Sequence, residues 1–94
     1  MRIANINGTS DDTCACGSWL AHWKKFSGQA TGYCTVPGCL NKDLVGAHVQ
    51  KAIGWDSTWY IVPLCSLHNQ SREELDVNDK FKLVPANRKE TCEK

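Results

Sequence analysis

Methionine occurs once and proline three times in the 94 residues, and no apolar run approaches the length of a membrane span. Met1-Arg2 leads into the polar stretch NINGTSDDT where a signal peptide would carry an apolar core, so no membrane role and a cytoplasmic location are expected. Charge of neither sign dominates: 11 Lys+Arg stand against 10 Asp+Glu, for a formal charge of +1. A globally basic nucleic-acid binder is thereby excluded, and any such contact must rest on a local patch. Hydrophobic residues at 41% and charged residues at 22% also exclude disorder, collagen-like repeats and low complexity. Cysteine and tryptophan are what the chain has in excess, six and four copies. In a reducing compartment, closely spaced cysteines read as metal ligands. An even count would also suit the disulfides of a small secreted protein.

The order of signals describes one domain over residues 1–94. Residues 1–13 carry turn formers without periodicity and read as an irregular arm. Ser18 is a suitable N-cap for a short helix whose Trp19, Leu20, Trp23 and Phe26 share a face, and Ser27-Gly28 would end it. Pro37-Gly38 marks a tight turn between two cysteines. The apolar runs VGAHVQ (45–50) and TWYIVPL (58–64), joined through KAIGWDS, predict a β-hairpin with a longer loop. Propensity then favours a helix from Cys65 to about Leu75, and FKLVP is a short apolar run stopped by Pro85.

Cys34 and Cys39 bracket the Pro-Gly turn, which folds the backbone so that both sulfurs face one point. Cys65 and His68 sit three apart at the expected helix start and project from one face. Two close chelating pairs of soft and borderline donors suit a tetrahedral Zn²⁺ with every position closed. The alternative, buried unligated cysteines, leaves the pairing at both ends without a reason. Three thiolates remove three charges and one dication restores two, so the loaded module would be neutral. Knuckle, hairpin and ligand-bearing helix start follow one another as in a treble clef. The expected fold is a small α+β treble-clef zinc module with an additional N-terminal helix.

Taken together, CTVPGC, VGAHVQ and WYIVPLCSLHN resemble the zinc-containing branch of the HNH (ββα-metal) endonucleases over about residues 33–75, with arms 1–32 and 76–94 outside. The resemblance implies a structural zinc on Cys34, Cys39 and Cys65, with His68 replacing a fourth cysteine. It makes His48 the general base that activates water for attack on a phosphodiester. Where the family holds its catalytic divalent ion with Asp or His, this chain has Ala47. The family's central Asn is Tyr60, and its metal-binding helix His is Asn69, a weaker oxygen ligand. The expected function is therefore a zinc-binding HNH-like domain that contacts nucleic acid or a protein partner without efficient catalysis. One alternative is a metal-dependent endonuclease using His48, Asn69 and Mg²⁺. A packed, hydrogen-bonded His48 at the hairpin end is the ordinary reading of that residue.

Cys14, Cys16 and Cys92 remain. With His22 or His48 they would make a second zinc site pinning both termini to the module. Cys14 and Cys16, just before a helix N-terminus, could instead form a redox pair, giving a thiol-redox protein as a further alternative. All three could also be unlinked thiols. Trp55 either stacks on a partner or caps the hairpin's apolar face. Lys24, Lys25, Lys42 and Lys51 are the candidates for a basic patch, or else a solvated face.

Overall fold

The computed structural model describes residues 1–6, 18–52, 54, 58–71 and 73–86. Its elements are β1 (Arg2–Asn5), α1 (Trp19–Ser27), β2 (Leu44–Lys51), β3 (Tyr60–Cys65), α2 (Ser66–Asn69), β4 (Leu75–Asp76) and β5 (Val84–Pro85). The expected hairpin forms: β2 and β3 pair antiparallel from Leu44↔Cys65 to Val49↔Tyr60. Around it the strands run in the order β4-β1-β2-β3-β5, all neighbours antiparallel, which makes an α+β architecture. No described helix is long and apolar enough to cross a membrane.

Two expectations are corrected. Residues 2–5 are not irregular. They form an inner strand, with Ile3 opposite Lys51 on one side and Leu75 on the other. The second correction is that the helix after Cys65 ends at Asn69. Were it to continue, the amide of Glu73 would bond the carbonyl of Asn69. Instead Glu73 N–H donates to Ser71 Oγ at 3.2 Å, and the Asn69 carbonyl accepts from Asn5 Nδ2 at 2.6 Å. Leu75 is thereby released to pair with Ile3, which is fully buried. Local helix propensity gives way to burial in the sheet.

The first helix forms as its end signals require. Ser18 Oγ accepts from Ala21 N–H at 3.0 Å, and Gly28, at φ 67°, donates its N–H to the Lys24 carbonyl. Strand alternation then divides the core. Ile3, Ala47, Val49, Val62 and Leu64 share one face, and Cys34, Val77 and, from the end of β3, Cys65 join their cluster. On the other, α1 lays Trp23 against Ile61, Val84 and Ala86, and Trp23 Nε1–H donates to the Lys82 carbonyl at 2.7 Å. Helix and sheet meet closely at Gly46, where a Cβ would lie 2.3 Å from the Trp19 carbonyl carbon.

Candidate metal centre

The turn between Cys34 and Cys39 is closed by Cys39 N–H donating to the Val36 carbonyl at 3.0 Å, with Gly38 at φ 83°. Thr35, buried beside Cys34, anchors this segment to the hairpin by donating its hydroxyl to the Pro63 carbonyl at 2.7 Å. The end of β3 delivers Cys65, and α2 carries His68 one turn further.

These elements bring Cys34, Cys39, Cys65 and His68 together, with all four ligand atoms within 4.8 Å of one another. Cys39 Sγ lies 3.9 Å from Cys65 Sγ, and His68 Nδ1 lies 3.4 Å from Cys34 Sγ and 3.2 Å from Cys65 Sγ. A tetrahedral ion with metal–sulfur bonds of about 2.3 Å spaces its sulfurs about 3.8 Å apart. The three cysteines are not in disulfides. A disulfide would need sulfurs at about 2 Å. Donor set and spacing therefore fit a metal ion such as zinc.

Burial pushes the Cys34 thiol up to about 11, and the neighbouring Cys65 sulfur reinforces the shift. Burial acts in the same direction on Cys65. There it is outweighed by hydrogen bonds from the Asn41 amide, the His68 backbone and the Cys34 thiol, which bring Cys65 down to about 6. Without metal the pair thus divides its protons, Cys65 as thiolate and Cys34 as thiol.

Two residues at the centre had gone unread in the sequence. Asn41 donates Nδ2–H to Cys65 Sγ at 3.5 Å and accepts the Cys34 N–H on its carbonyl at 2.9 Å. Asp43 Oδ2 accepts the Ser66 N–H at 3.4 Å, and the Ser66 hydroxyl leads the contacts that hold its carboxyl below the usual range. The available signal was their position, polar residues just past the second knuckle cysteine.

The candidate catalytic residues do not converge. His48 faces Ile61 across the hairpin and shares the α1 side of the sheet with Gly46. Only 5% exposed, its ring meets the edges or faces of Trp19 at 4.6 Å and Trp59 at 6.1 Å. Asn69 gives both its carbonyl and its Oδ1, at 2.6 and 3.0 Å, to Asn5 Nδ2. Asn5 opposes Val49 and so lies on the face away from His48. Ala47 is buried opposite Val62, and Tyr60 packs on the same core.

Cys14, Cys16, Cys92 and Trp55 lie outside the described residues. His22 is fully buried between Trp19 and Phe26 and donates Nε2–H to the Pro85 carbonyl at 2.9 Å. Lys25, Lys42 and Lys51 each set an ammonium over an aromatic ring, Phe26, Tyr33 and Tyr60, at 5.3–5.5 Å. With Lys24 on α1 as well, the four candidates for a basic patch are spread over α1, the segment before β2 and the end of β2. Comparison with protein-family models, curated proteins and solved structures returned no match.

Proposed function

We propose that this chain is a zinc-binding module of the HNH-like, treble-clef kind, which contacts nucleic acid or a protein partner and does not cleave phosphodiesters efficiently. Three sulfurs and one imidazole nitrogen in a closed set favour zinc over harder cations, which prefer oxygen. Their arrival from a knuckle and from the junction of a hairpin with a helix supports the treble-clef reading. A reducing cytoplasm suits cysteines that stay unlinked.

The observation that carries the non-catalytic part is the divergence of His48 and Asn69 across the sheet. Metal-assisted cleavage needs a cation and a base close to the same phosphate. Here Ala47 offers no donor atom, Asn69 is engaged by Asn5, and the His48 imidazole is enclosed by indoles. The test is incubation of the full chain, after elemental analysis for zinc, with supercoiled plasmid and Mg²⁺, Mn²⁺ or Ni²⁺. One zinc per chain and intact plasmid are expected. Nicking that disappears in His48→Ala would overturn the reading. Two zinc ions per chain would add a site drawn from Cys14, Cys16 and Cys92 with His22 or His48.

A further inference from the structure

We propose that Asn41 is the positioning residue of the metal centre: its amide fixes the Cys65 sulfur and lowers that thiolate's electron donation once metal is bound. The inference rests on the zinc-binding reading and goes beyond its four ligands. Asn41 lies in the segment between the knuckle and β2, and touches both halves of the site at once. Its carbonyl accepts from the Cys34 backbone at 2.9 Å, while its Nδ2–H donates to Cys65 Sγ at 3.5 Å. The first bond fixes where residue 41 sits relative to the knuckle. The second reaches across to the end of β3, so that the side chain spans the gap the metal must close.

The chemistry runs one way. A thiolate only accepts, and of the two ends of a carboxamide only the NH₂ end donates, so the amide orientation is set by the sulfur. A neutral donor at this place spreads charge away from sulfur, makes it a weaker base and weaker nucleophile, and leaves the metal–sulfur bond intact. Asp43, two residues further on, is already committed to the Ser66 N–H, and the Ser66 hydroxyl also bonds its carboxyl. Among the described residues, Asn41 is the side chain from outside the ligand set that donates to a ligand sulfur.

The test uses the full chain with Co²⁺ in place of zinc, comparing wild type with Asn41→Ala and the isosteric Asn41→Asp. Both substitutions keep the backbone carbonyl that holds Cys34. Wild type should give the absorption of a tetrahedral S₃N cobalt site. In Asn41→Ala the sulfur-to-cobalt charge-transfer band should move to longer wavelength, and the zinc-bound Cys65 should be alkylated faster, as mapped by mass spectrometry. Zinc affinity should fall by about 10- to 100-fold, the range for lost outer contacts to a ligand. Asn41→Asp, which sets a carboxylate against the thiolate, should bind still more weakly. A cobalt spectrum, alkylation rate and affinity unchanged in Asn41→Ala would overturn the role of Asn41 and leave the metal site standing. Absence of the S₃N spectrum in folded wild type would remove both.

Discussion

Cys34 and Cys65 approach one centre with opposite proton affinities, and the difference has a measurable consequence. Below about pH 11 the Cys34 thiol keeps its proton in the metal-free fold, whereas Cys65 is a thiolate down to about 6. Zinc binds thiolates, so at pH 7.5 uptake must eject the Cys34 proton while Cys65 has none to give. The calorimetric heat of zinc binding should therefore change with the ionisation enthalpy of the buffer, in the sense of proton release. A heat identical in all buffers would contradict the assignment of Cys34. Affinity should also fall on acidification, as protons compete for the ligands. Cys65→Ser removes a donor that is both buried and central to the group, and should abolish stable metal binding and cooperative folding together. A zinc-free variant that still unfolds cooperatively would count against the centre as the organiser of the fold.

At the scale of elements, the meeting of α1 with β2 is the most exposed to a single change. A methyl group at Gly46 would come within 2.3–2.6 Å of Trp19 and Leu20 atoms, two of the three nearest contacts being backbone, so α1 must shift. Gly46→Ala should destabilise the chain by about 1–3 kcal/mol, read as a lower denaturant midpoint. An unchanged midpoint would mean that α1 does not seat there. Loss of the cap in Ser18→Ala should cost about 1 kcal/mol by the same measurement. This helix was legible in the sequence because both of its ends are written in local chemistry, a serine that caps and a glycine that takes positive φ. The hairpin was legible for a similar reason, as two apolar runs with Gly54 between them. By contrast β1 and β4, of four and two residues, are too short for periodicity to register. They exist because Ile3 and Leu75 meet across a ladder 72 positions apart in sequence. The early end of α2 escaped for the same reason, since the residue that takes the Asn69 carbonyl is Asn5. Of the centre, the grouping of Cys34, Cys39, Cys65 and His68 could be read from pair spacing, whereas the contact of Asn41 with Cys65 depends on the tertiary fold and the separation of His48 from Asn69 on the sheet face each one occupies.

For the whole molecule, the question is whether a metal held by Cys34, Cys39, Cys65 and His68 would stabilise one corner or the entire chain. Cys34 and Cys65 are members of the buried cluster that includes Ile3, Ala47, Val49, Val62 and Leu64. The cluster under α1 draws on Ile61 of the same β3, so the two halves of the core share the β2–β3 ladder. Apparent binding free energies for structural zinc run to about 10–16 kcal/mol, as large as the whole stability of a typical domain. Chelation should accordingly be felt on both faces of the sheet. Hydrogen exchange after zinc removal should show the amides of Val62 and Leu64 losing protection together with those in α1, including Trp23, in one cooperative step. If α1 and Ile61 kept their protection while only residues 34–39 and 65–68 opened, the ion would be a local clip on a sheet that holds without it. The fully buried Trp23, anchored by its indole to the Lys82 carbonyl on the face away from the first cluster, is the reporter that separates the two outcomes.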